Sequence, residues 1–133
     1  MRIICICFLC FFLTISSYCL NAEETGPADT IHNYFSACQN GDIEAIKNLI
    51  TRPFYDKRKV LLNNNTGYSK FLIQHFDAVE LNVISSSILD VDRLSEIVVE
   101  RKYPDDSRLK TKFILTKEDN KTWKIYSEGL LSK

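Results

Sequence analysis

The feature that most constrains this chain is a change of hydrophobic rhythm near Ala78. Before it, apolar residues recur at helical spacing. After it, they alternate, as on a strand with one buried face. Ile31, Tyr34, Phe35 and Cys38 form one stripe, and Ile43, Ile46, Leu49 and Ile50 form a second. Asp29 or Thr30 is the expected cap of the first helix, whose side-chain oxygen accepts a free first-turn amide. Asn40-Gly41 ends that helix, Asp42 starts the next and Arg52-Pro53 stops it. A third short helix and a loop are expected between Phe54 and Tyr68. A helix capped by Ser69 and running to Phe76 follows.

Four strands are expected beyond the switch, near 79–89, 94–103, 109–117 and 122–128. Short connections between them imply an antiparallel meander. Pairing Val99 with Phe113 and Ile97 with Leu115 keeps the apolar sets on one face, and a one-residue slip would mix the faces. That register sets Glu100 against Lys112 on the other face and puts Glu96, Glu100 and Glu128 outside. The fold class is α+β: N-terminal helices packed on a curved antiparallel sheet of about four strands.

The first residues set the expected destination. Met1-Arg2, an apolar run from Ile3 to Ile15 and a small residue at Ala22 match a secretory signal. The run is too short to span a bilayer, which takes about 20 apolar residues. Lipid attachment at Cys19 is the lesser alternative, because Ser16 and Tyr18 stand where a lipoprotein signal has Leu and a small residue. The expected organisation is a signal peptide over 1–22 and one domain over 23–133, working in the periplasm or outside the cell. Four of the five cysteines lie in the signal. Cys38 is then alone and is expected to be a small buried side chain.

Seventeen basic residues balance seventeen acidic ones. No basic excess speaks for nucleic acid, and no cofactor, metal or nucleophile motif is present. The matches to the glycosylation pattern at Asn64-Asn65-Thr66 and Asn120-Lys121-Thr122 are taken as chance.

Tyr34, Phe35, Ala37, Gly41 and Asp42 on the first helices, with Trp123, Lys124 and Ile125 on the last strand, resemble the nuclear transport factor two-like superfamily. This cystatin-like α+β cone includes small secreted bacterial members of unknown function. The resemblance implies a cavity between the concave sheet and the helices. Polar or aromatic residues expected there are Tyr34, Tyr68, His75, Arg101, Tyr103 and Trp123. Arg101 stands out: either it is a cavity guanidinium that can hold a carboxylate bidentately, or it lies at the sheet's end and reaches solvent along its own stem. His75 lacks a carboxylate to orient it, and His32 falls off the apolar stripe. The resemblance also implies pairing through the outer sheet face, where Val98, Ile114 and Tyr126 make a small apolar stripe suited to a weak dimer.

These features favour an exported, non-catalytic module that holds a small apolar or amphipathic ligand or docks a protein. One alternative is an isomerase, dehydratase or cyclase with His75 or a tyrosine as acid/base. Another is a secretion-assembly or immunity component.

Overall fold

A computed structural model describes residues 25–64, 66–90, 93–119 and 121–131. The expected signal peptide and Cys19 lie outside them. Four helices precede four strands: α1 (Pro27–Asn40), α2 (Ile43–Leu49), α3 (Arg52–Asn64), α4 (Tyr68–Phe76), then β1 (Glu80–Asp90), β2 (Leu94–Lys102), β3 (Arg108–Glu118) and β4 (Thr122–Leu130). The sheet is an antiparallel meander in the order β1-β2-β3-β4.

Helix ends follow local chemistry, with corrections to the sequence reading. α1 begins at Pro27, earlier than expected, where proline costs no hydrogen bond. Asp29 lies inside the helix and accepts from the Gly26 amide at 2.9 Å, while the Thr30 hydroxyl faces the Gly26 and Trp123 carbonyls. At its other end Gly41 adopts φ 62°. The Gly41 amide reaches the Cys38 carbonyl and the Asp42 amide reaches that of Ala37. This pair of bonds satisfies the last carbonyls of the helix. The Asp42 carboxylate accepts from the Ala45 amide at 3.0 Å and opens α2.

α3 is longer than expected, because the polar Asn63-Asn64 end stays helical. Of its apolar run only Leu62 is buried, whereas Val60 and Leu61 are exposed. Ser69 does not cap α4; Gly67 does. The Ser69 hydroxyl donates instead to the Gly41 carbonyl at 2.7 Å, which ties α4 to the α1–α2 hinge.

The core lies between the helices and the inner sheet face. Ile31, Phe35 and Cys38 of α1 pack with Ile97, Val99, Phe113, Leu115 and Ile125. Phe35 meets Tyr34, Phe76 and Phe113 edge-on, with ring centroids 5.7–5.9 Å apart, the orientation that aromatic quadrupoles favour. Cys38 is buried and makes no disulfide among the described residues.

The register between β2 and β3 differs from the expected one by two residues. Val99 faces Thr111, Ile97 faces Phe113 and Ser95 faces Leu115. A slip of two preserves which face each side chain occupies, so hydrophobic pattern alone does not resolve it. The expected Glu100–Lys112 pair is replaced by Glu100–Arg108 at 2.9 Å and Glu96–Lys112 at 3.6 Å.

A second departure lies on β4. Ile114 faces Ser127 whereas Leu115 faces Ile125, so Tyr126 is the extra residue of a β-bulge. A bulge puts two residues against one and breaks the alternation beyond it. Glu128 therefore faces Phe113 on the inner side. Placing Glu128 outside by parity is corrected by this bulge.

Candidate functional site

The cone holds a cavity of about 160 Å³ between α1, α3, α4 and the end of the sheet where Arg101 and Glu128 lie. Tyr34, Tyr68, His75 and Arg101, four of the six residues singled out from sequence, line it. Arg58 and Glu128 line it too, and sequence reasoning missed both.

Arg101 comes from the inner face of β2, opposite Leu109. Its Nη2 donates to the Thr111 hydroxyl at 2.7 Å, and its guanidinium lies 5.8 Å from the centre of the Phe35 ring. Its Nε is buried with no hydrogen-bond partner among the described residues. A buried donor left unmatched is costly, and few native groups are left so. Arg58 reaches in from α3 and pairs with the Glu128 carboxylate, while its guanidinium also covers the Phe54 ring at 4.6 Å. One carboxylate and two guanidiniums line the cavity, which leaves one positive charge uncompensated.

Two phenols complete the polar lining. Burial pushes the Tyr34 hydroxyl well above its usual range, with smaller pushes from Cys38 and Glu128. Burial also raises Tyr68, against the pull of Arg58. Both phenols are therefore neutral donors at neutral pH. Burial lifts the Cys38 thiol to about 12, which removes it as a nucleophile there.

An aromatic row leads out of the cavity along α4. Tyr68 stacks on Phe71 at 6.1 Å and Phe71 on His75 at 5.4 Å. His75 is exposed and meets Tyr103 at 5.9 Å. Tyr103 does not line the cavity but a shallow groove with Gln74, Asp77 and Pro104, which adjoins it at His75. His32 is exposed, away from the apolar stripe of α1.

Trp123 is placed elsewhere, and its assignment to the cavity is corrected. It faces Lys117 near the β3–β4 turn, at the opposite end of the sheet from Arg101 and Glu128. There it is buried in the core, with Lys117 over its ring.

On the outer face the expected opposition of Val98 and Ile114 is not made. Val98 faces Lys112, and Ile114 faces Glu96 and Ser127. The Glu96–Lys112 ion pair interrupts the stripe, and Tyr126 sits in the bulge.

No family model matches the sequence, and no curated protein does. Two solved structures share the fold. One, from Campylobacter jejuni, bears the provisional name NTF2-like transpeptidase; its TM-score is 0.58 at 15% identity, over 77% of this chain and 99% of that one. The other, from Shewanella frigidimarina, is provisionally named a ketosteroid isomerase; its TM-score is 0.54 at 12% identity, over 82% of this chain and 98% of that one. The fold is that of the nuclear transport factor two-like proteins, an α+β cone.

Proposed function

We infer that this chain is an exported, non-catalytic binding module whose cone receives the carboxylate end of a small amphipathic ligand. The observation that carries this reading is the Arg101 guanidinium, held by Thr111 with its Nε unmatched, in a cavity with one spare positive charge. Guanidinium forks suit carboxylates, because two parallel N–H groups match two oxygens. Tyr34 and Tyr68, neutral donors, line the same cavity. The row from Tyr68 through Phe71 to His75 gives an apolar tail a surface leading outward. The cavity has the volume of about five waters in the liquid, which limits the buried part to a short chain.

Titration calorimetry with butyrate and with 1-butanol tests the reading. Butyrate binds and 1-butanol does not, and Arg101→Met removes butyrate binding while the unfolding temperature stays within a few degrees. Equal binding of both probes, or full retention by Arg101→Met, overturns it. Intact mass of the secreted chain tests export: cleavage after Ala22 is expected, and an uncleaved chain contradicts it.

A second reading draws on Glu128. A carboxylate inside the cone is what a proton-transferring isomerase, dehydratase or cyclase needs. In this reading Glu128 is the base and Tyr34 or Tyr68 the acid. Solvent exchange of α-protons on a bound ketone, lost in Glu128→Gln, is its measurement; no exchange above buffer leaves the binding reading alone.

A further inference from the structure

The two edges of the sheet are treated differently. On the β4 edge the linker between α2 and α3 lies alongside: Ile50 bridges Ile125 in parallel, and the Thr51 amide donates to the Ile125 carbonyl at 2.9 Å. β1 forms the other edge. From Ile84 to Asp90 every residue of β1 is exposed, on both faces. Ser86 and Ile88 stand opposite the buried Ile97 and Ser95, yet they are themselves open. Ile84, Ile88 and Leu89 are 46%, 55% and 53% exposed. From Leu81 to Leu89 there is neither a charge nor a proline. Proteins ordinarily protect a free edge with charge, proline, bulges or a covering segment, because its unpaired amides and carbonyls template another strand; from Leu81 to Leu89 β1 carries only the bulges.

The sequence of this edge also reads nearly the same in both directions about Ser86. Val83-Ile84-Ser85 precedes it and Ser87-Ile88-Leu89 follows. A two-fold interface needs such self-complementarity, since each position must suit its symmetric counterpart. We propose that β1 is the interface for a second copy of this chain, paired antiparallel about a two-fold axis at Ser86.

In that register Ile84 faces the partner's Ile88, Val83 faces the partner's Leu89, and Ser85 faces the partner's Ser87. Apolar cross-strand pairs stabilise such a ladder. Asp90 faces the partner's Asn82. Neighbouring registers are worse. Moving the axis between Ser86 and Ser87 sets Asp90 against Val83. Moving it between Ser85 and Ser86 sets Asp90 against Leu81. Moving it to Ser85 sets Asp90 against Glu80, two carboxylates face to face. The bulges at Ile84 and Leu89 flank a regular stretch from Ser85 to Ile88, which is the stretch the axis passes through. The pairing joins two four-stranded sheets into one of eight and leaves the covered β4 edges outermost, so the assembly closes at two. One strand is smaller than the 20–30 residues a side of a standard interface. The dimer is therefore reversible, with dissociation in the micromolar range.

Sedimentation velocity of the purified chain from about 1 µM to about 1 mM tests this. The wild type passes from monomer to dimer over that range. Ser86→Lys places two ammonium groups across the axis and raises the dissociation constant at least about tenfold, with an unchanged unfolding midpoint. Ser86→Glu does the same, and an equimolar mixture of the two variants restores a dimer through opposite charges. A wild type monomeric throughout overturns the proposal, as do open-ended aggregates. So does a dimer that Ser86→Lys leaves intact, which would place the contact on another face.

Discussion

Glu128 of β4 holds the guanidinium of Arg58 in α3, a contact between residues seventy positions apart. The bulge at Tyr126 makes it: without the extra residue Glu128 would stand on the outer face. Both side chains are only 28% exposed, so each protects the other from an unpaired, half-buried state. Removing one member of such a pair costs more than removing both. Glu128→Gln should cost about 1–3 kcal/mol, discounted from a fully buried pair because water still reaches it. Arg58→Met together with Glu128→Gln should cost less than the sum of the two. Urea unfolding of the four chains measures this, and strict additivity would refute the coupling.

Gly41 lies close against Ser69 and Ile73 of α4. Its φ of 62° is left-handed, and a Cβ there would stand 2.8 Å from the Ser69 carbonyl oxygen and 2.5 Å from the Ser69 hydroxyl. The hydroxyl can rotate away, but the backbone oxygen cannot. Left-handed geometry costs a residue with a Cβ about 1–2 kcal/mol, and the clash adds to it. Gly41→Ala should destabilise by about 2–4 kcal/mol. Ser69→Ala, which removes only the 2.7 Å hydrogen bond to Gly41, should cost about 1 kcal/mol. Equal losses from the two changes would contradict this ordering.

Thr111 holds Arg101 in place and is itself 1% exposed. Thr111→Val keeps the shape and removes the acceptor. The guanidinium then has two unmatched nitrogens and swings toward solvent. Stability should fall by about 1–2 kcal/mol, and butyrate affinity should fall about tenfold. In the Arg101→Met background the same change should be nearly neutral. A loss of stability undiminished in that background would show that Thr111 acts independently of Arg101.

The α+β order and the two faces of the sheet were legible because burial stamps a period on the sequence. Ile97, Val99, Phe113, Leu115 and Ile125 all point inward as their alternation requires. The absolute register was not legible, since a shift of two residues leaves every face unchanged; ion pairs to Arg108 and Glu96 accompany the register adopted. The bulge was not legible either. Tyr126 looks like one more outward residue, and nothing local marks it as unpaired. From that point parity misleads, so Glu128 and its partner Arg58 were not placed at the cavity, whereas Tyr34, Tyr68, His75 and Arg101, which line it, were. Trp123 was misplaced because face was inferred and position along the strand was not weighed: it shares the inner face with Glu128 but lies at the strand's other end.

Cys38 makes stability depend on alkaline pH. Burial raises its thiol from 9.0 to about 12, so the folded chain keeps the proton longer than the unfolded chain does. Below pH 9 both states are protonated and the contribution is constant. Between pH 9 and 12 only the unfolded thiol ionises, and stability falls by up to about 1.4 kcal/mol per pH unit. The Tyr34 hydroxyl, raised above 10.0 by burial, steepens the fall at higher pH. Urea midpoints should therefore hold steady from pH 7 to 8.5 and drop from pH 9 to 10.5. Cys38→Ala lowers the whole curve, because a buried side chain is shortened, but flattens it between pH 9 and 10. A variant curve parallel to the wild type across that interval would assign the alkaline loss to other groups.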